Sequence, residues 1–224
     1  MAIVRDSNVA GASRGTTSPV TWNHTVAAGG VLYVSIASLF PVADPITAVT
    51  FDGAAMTLIK KDTNNQRQVQ VWGILNPTTG SAKAVSISFT GSDSLYGGSV
   101  SYTGVDTTGF SAVTPVEAHN AGVTTSISTS ITPTVDNSVI LGTGYAENGA
   151  PSAYTNIVNV GVATNLLFPI ESSPLLISPA AATTIGITRP SNDWIKLVAF
   201  VAEPATGSAV KAPSGSLALM GCGM

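Results

Sequence analysis

Charge is scarce in this chain. Asp, Glu, Lys and Arg together make up 9% of its residues, and the formal net charge is −3. The nine Lys and Arg are scattered from Arg5 to Lys211, with Lys60-Lys61 the only adjacent pair. Phosphate backbones are bound by clustered cations, so a nucleic-acid partner is excluded as an expectation. Cys222 is the single cysteine, which rules out an intramolecular disulfide and any thiolate cluster. Only His24 and His119 are available as imidazole bases, and no G-x-S-x-G elbow is present. Aromatic residues total 6%, which makes a dedicated sugar platform a minority reading. The longest strongly apolar stretch, Val31 to Phe40, is shorter than a bilayer requires, so no membrane partner is expected. No apolar run follows the basic residue of "MAIVRDSNVAGASRG", so the reading is a cytoplasmic origin without a secretory signal.

What is there is apolar and hydroxylic. The hydrophobic fraction is 44%, and the 224 residues include 25 Ser and 27 Thr. Disordered chains combine low hydrophobicity with high charge; this composition is the reverse, so the chain should fold. Its length suits one large sandwich or two small domains. A surface with so little charge is weakly self-repulsive, which fits a protein packed against its own copies or a larger particle.

Alternation of apolar and polar residues dominates the pattern. "PVTWNHTV" (19–26) puts Val20, Trp22, His24 and Val26 on one face of a strand. "GVLYVSIASLF" (30–40) is a β-rich run buried on at least one face. "ITAVTFDGAAMTLI" (46–59) reads as two short strands around Asp52-Gly53, a pair that supplies the positive φ of a tight hairpin. "RQVQVWGIL", "KAVSISF" and "GSVSYTGV" follow, then five more segments between residues 125 and 203. Each ends at Gly, Pro, Asn or Asp, and no segment has a helical period. The fold class expected is an all-β antiparallel sandwich, jelly-roll-like, of about ten strands. Residues 1–18 are expected as an N-terminal arm, 19–203 as a single β-sandwich domain and 204–224 as an extended C-terminal arm. A boundary near 120–124 is the alternative division. The arm ends in an apolar patch, Leu217 to Met220, which either docks on a neighbour or adds a strand to its own sheet.

The stretch "GGSVSYTGVDTTGFSAVTPVEAHNAG" (97–122) leaves the sheet in a long polar loop. It carries Asp106, Glu117 and His119. Glu117 and His119 share one face of a strand and could supply two metal ligands if a third arrived from elsewhere. The simpler reading makes the loop a corner. Gly104 relieves the strand end, Asp106 caps a turn, Pro115 fixes the re-entry, and Val113 and Val116 anchor the loop on the core. Elsewhere, His24 sits mid-strand on the parity of Trp22 and Val26, as a satisfied or half-buried ring and not a base. Asp62, Asn64 and Asn65 offer oxygens to calcium but read better as a polar loop. Asp44, Asp52, Asp93, Asp136 and Asp193 stand beside turn residues, as structural acids do. The sequon Asn23-His24-Thr25 falls within a strand and reads as chance. Trp22 and Trp194 read as core, whereas Trp72 lies on the Gln70 face of its strand, where an exposed ring would stack on a sugar. No catalytic, cofactor-binding or metal-binding residue is assigned.

"VSYTGVD" followed by "TPVEA", with "VTFDGAAMTLIKK" and "VQVWGILNPTTGSAKAVSISF" upstream, resembles a segment of uncharacterised β-sandwich proteins of tailed bacteriophages and bacterial surface proteins. The resemblance covers roughly 46–146 and brings no catalytic motif. It implies a β-sandwich or jelly roll used as a building block. The function expected is a non-enzymatic virion protein, a decoration or cement subunit bridging capsid subunits, assembled in the host cytoplasm. Its partners would be copies of itself and the major capsid protein or other virion proteins. The alternative is a tail or fibre module that binds a host-surface glycan.

Overall fold

The computed structural model describes residues 1–10, 16–39, 45–63, 67–91, 94–119, 124–148, 151–161 and 167–206. Their regular structure is entirely strand: β1 (Val4–Ala10), β2 (Val20–His24), β3 (Gly30–Ser38), β4 (Ile46–Phe51), β5 (Ala54–Ala55), β6 (Thr57–Asp62), β7 (Gln68–Leu75), β8 (Lys83–Phe89) and β9 (Leu95–Thr103), then β10 (Val116–His119), β11 (Thr124–Ile131), β12 (Val139–Ala146), β13 (Ala153–Thr155), β14 (Ile157–Asn159), β15 (Leu167–Ser172), β16 (Thr183–Asp193) and β17 (Ile195–Ala202). Every pairing between them is antiparallel. The all-β antiparallel sandwich class expected from the alternation is the class observed.

Four sheets result, ordered β1-β9-β3-β7-β6, β2-β8-β4-β5, β10-β17-β12-β15-β14 and β11-β16-β13. Side-chain parity fixes how they stack. Val31, Tyr33, Val71 and Tyr102 point from the first sheet into a core shared with Leu141, Tyr145, Val198 and Phe200 of the third. The intervening residues Leu32, Val34 and Ile36 point the other way, onto Val49, Phe51, Val85 and Ile87 of the second sheet. Likewise Ile140, Leu197 and Val201 meet Ile131, Ile185 and Ile187 of the fourth. The molecule is therefore a four-layer stack. Two inner sheets are covered on both faces, and two outer sheets keep one face in water. Strands β3, β12 and β17 are buried at every residue.

The two halves repeat one topology. In order, β1, β2, β3, β4, β6, β7, β8 and β9 correspond to β10 through β17, and both inner and both outer sheet orders then coincide; β5 is an added hairpin strand. Pairing within each half is nested: first strand with last, second with second-last, third with third-last. Seventeen strands in two sandwiches stand where the sequence reading placed about ten in one. The reason is that doubly buried strands read as continuous apolar runs, which carry no signal of which layer lies on which side. The 1–18 segment, expected as an arm, contributes β1 as an edge strand of an inner sheet.

Local chemistry positions the corners. Asp52 and Gly53 take φ of 51° and 80°, the primed turn that joins β4 to β5. Past β9 and β17 the two halves cross: Val105 bridges Pro204, with Asp106 N–H donating to the Glu203 carbonyl and Ala205 N–H to the Gly104 carbonyl, each at 2.8 Å. This crossing joins the equivalent ends of the two repeats. Gly104 has φ 75°, and a Cβ there would lie 2.1 Å from the Ala2 carbonyl oxygen. Gly104→Ala should therefore cost about 2 kcal/mol, combining left-handed strain with displacement of the N-terminal backbone. Urea unfolding checks this; an unchanged midpoint would mean the corner is not built as described. Residues 207–224 of the expected arm, including Cys222, lie outside the described residues.

Candidate functional site

The three residues singled out in the 97–122 loop do not converge. Asp106 caps its own turn, its Oδ1 accepting both the backbone N–H and the hydroxyl of Thr108 at 2.9 Å. The backbone bond, then the hydroxyl bond, hold its carboxyl below the usual range. Val113 and Val116 pack against the third core, as an anchored corner requires. Glu117 and His119 share a face of β10, but each is spent on the opposite repeat. Glu117 Oε2 lies 2.9 Å from Lys60 Nζ, and His119 Nδ1 lies 3.0 Å from Asp62 Oδ2. Asp62 is 3% exposed and also accepts a 2.9 Å hydrogen bond from Lys196, itself 2% exposed. Burial pushes the Lys196 amine down, while the bond to Asp62 opposes the shift. No group of three metal-ligating side chains occurs among the described residues. Asn64 and Asn65, grouped with Asp62 as possible calcium ligands, lie outside them.

This seam is where the sparse charge goes. Arg5–Glu171, Lys60–Glu117, Arg67–Glu147, His119–Asp62 and Lys196–Asp62 all cross from one repeat to the other. Lys83–Asp52 and Arg189–Asp193 pair inside a repeat. The Arg67 guanidinium also sits 5.0 Å from the centroid of the half-buried Trp194 ring. Tyr102 adds its hydroxyl to Glu171 Oε2 at 2.9 Å. Facing inner sheets must satisfy any polar group they bury, and opposite charges contributed from the two sides do so while fixing their relative register.

A second polar chain lies between the sheets of the first repeat. Trp22 Nε1 donates to Ser99 Oγ at 2.8 Å. Ser99 Oγ lies 2.8 Å from His24 Nδ1, and His24 Nε2 lies 3.0 Å from Ser101 Oγ. Ser101 in turn donates to Asp6 Oδ2 at 3.0 Å. The residue types are those of a hydrolytic triad, but the order is wrong. The aspartate touches a serine instead of orienting the imidazole, and both serines are buried. Burial lowers the His24 pKa to about 4, against a smaller opposing pull from Asp6. This is the satisfied core histidine expected from its parity with Trp22 and Val26.

Trp22 lies half-buried over Gly97, where a Cβ would come within 2.5 Å of its ring. Trp72 is also half-buried against the second core, its Nε1 donating to Gln70 Oε1 at 2.9 Å. It is no free stacking platform.

The outer faces show what is left for partners. On β11, β16 and β13 the outward positions are Ser126, Ser128, Ser130, Thr184, Gly186, Thr188, Ala153 and Thr155, with Ser130 and Thr184 hydroxyls 2.9 Å apart. On β2, β8 and β4 they are Thr21, Asn23, Ala84, Ser86, Ser88, Ala48 and Thr50. Neither set contains a charge. Sequence reasoning missed this arrangement, although the "TSISTSI" alternation of β11 held the signal for one face. Comparison with family models, curated proteins and solved structures found no match to this chain.

Proposed function

We propose that this protein is a non-enzymatic structural subunit of a tailed-phage particle, a decoration or cement protein that lies against capsid subunits and its own copies. The observation that carries the reading is the pair of uncharged outer sheet faces built from Ser, Thr, Ala and Asn. Short side chains lose little rotamer freedom when covered, and a face without charge has no ionic desolvation to overcome. Such faces suit broad, shape-matched contact. Each repeat, with its nested pairing of strands, reads as a jelly roll, an architecture used in viral capsid and lectin domains. Among the described residues, the acids and imidazoles already make hydrogen bonds or ion pairs within the chain, which supports a mechanical role. Covering surface across neighbouring subunits would raise the cost of their separation. The resemblance of 46–146 to phage β-sandwich proteins points the same way.

Sedimentation of the purified chain, alone and with empty shells of the particle whose genome encodes it, tests this reading. Association with shells or copies should weaken about tenfold or more when Ser86→Glu and Ser128→Glu place one charge at the centre of each outer face. Far-UV circular dichroism and melting should be unchanged, because both side chains point outward. A monomer that ignores the shells at every concentration would sink the proposal.

A further inference from the structure

The corner formed by residues 105–112 does more than connect two repeats. It folds back over the inner sheets beside a half-open cavity of about 240 Å³. Apolar lining comes from Tyr33 and Val105. Phe110 forms one wall, its ring pressed onto Gly73, where a Cβ would lie 2.7 Å from Phe110 Cε1. Asp106, Thr108, Ser111 and Glu203 supply its polar lining.

These walls are held in place before any ligand arrives. Thr108 locks Asp106 through two hydrogen bonds to Oδ1. Ser111 Oγ donates to Glu203 Oε1 at 2.7 Å and accepts from the Val113 N–H at 3.1 Å. Asp106 Oδ2 and Glu203 Oε2 keep acceptor capacity after these bonds. The cavity also lies where the two repeats cross at Val105 and Pro204, and pockets form preferentially at such junctions.

We infer that this cavity is a binding site for a single small polyhydroxylated ligand that is neutral or cationic, a monosaccharide or amino sugar. Three features select that class. The volume is below the roughly 300–1,000 Å³ typical of drug-sized sites, which suits one sugar ring and not a longer chain. Two carboxylates accept hydroxyl or ammonium donors, while no Lys or Arg lines the walls, so phosphates and acidic sugars are disfavoured. Aromatic and polar residues lining one cavity offer a sugar ring both an apolar surface and hydrogen-bond partners. The inference rests on the glycan-binding alternative, not on the structural reading, and either can fail without the other.

Saturation-transfer NMR on the full chain, with glucose, glucosamine, glucuronate and inorganic phosphate each at about 10 mM, tests it at the weak affinities a ligand this small commands. Glucose or glucosamine should receive saturation, and glucuronate and phosphate should not. Gly109→Trp should abolish the signal. Gly109 lines the cavity, has no positive φ, and a Cβ there meets nothing within 4 Å, so a bulky side chain can be added at the cavity edge without strain. Glu203→Gln keeps an acceptor but loses a charge, and should weaken glucosamine more than glucose. No transfer to either sugar, equal transfer to Gly109→Trp protein, or a stronger response from glucuronate or phosphate would overturn the assignment.

Discussion

Asp62→Ala will destabilise the protein by about 3–5 kcal/mol, the cost of leaving a buried charge without its partner. At about 2–4 °C per kcal/mol for a chain of this size, the melting temperature should fall by roughly 6–20 °C. The cause is specific. Asp62 sits at the end of β6 in one repeat, and Lys196 and His119 reach it from the other. Removing the carboxylate leaves the Lys196 amine, already pushed down by burial, with no acceptor to hold its proton. The double variant Asp62→Leu, Lys196→Met should recover much of the loss, because an apolar pair of similar volume avoids the desolvation both charges bear. Denaturant unfolding of the single and double variants decides the matter. A single variant within about 0.5 kcal/mol of the parent, as ordinary surface substitutions are, would show that the seam does not hold the repeats together.

The second large effect appears on acidification. His24 is 1% exposed, and its pKa falls from 6.5 in the unfolded chain to about 4 in the folded one. Between those values the unfolded state binds the proton and the folded state does not. The contribution is therefore fully present above pH 6.5 and is lost progressively as pH falls toward 4. A shift of this size corresponds to about 3 kcal/mol. His24→Gln should be less stable at neutral pH, because Ser99 and Ser101 lose an imidazole that fitted them both. Its stability should also vary less between pH 6.5 and 4 than that of the parent. Parallel curves for the two proteins across that interval would show that His24 is not what the acid attacks.

The parts legible in the sequence were those with a local cause. Asp52-Gly53 announced its hairpin, the parity of Val20, Trp22, His24 and Val26 announced one inward face, and Asp106 behaved as turn acids do. What stayed hidden was set by contacts between distant segments. Glu117 and His119 do lie on one face of a strand, but nothing near them in sequence shows that Lys60 and Asp62 wait opposite. The repeat was hidden for a related reason. Sandwich halves need only apolar parity at corresponding strands, and many residue combinations satisfy it, so "GVLYVSIAS" and "VILGTGYA" occupy equivalent places with little identity. Trp72 misled because its strand is covered on both sides: the polar Gln70 beside it marked a buried amide and not a wet face.

Stacking the repeats through their inner sheets turns the two outer faces in opposite directions. Sheets pack about 10 Å apart, so the faces are separated by three such steps, roughly 30 Å. A unit with a sticky patch at each end has different options from a unit with one. If each patch meets its like through a local two-fold axis, every added molecule exposes a fresh patch, and growth runs on as a column instead of stopping at a pair. If the proposed role against a larger shell holds, the same geometry gives one face for the shell and one for the next arrival. Whether such a protein forms a single coat or a multilayer then depends on how far the affinities of its two ends differ.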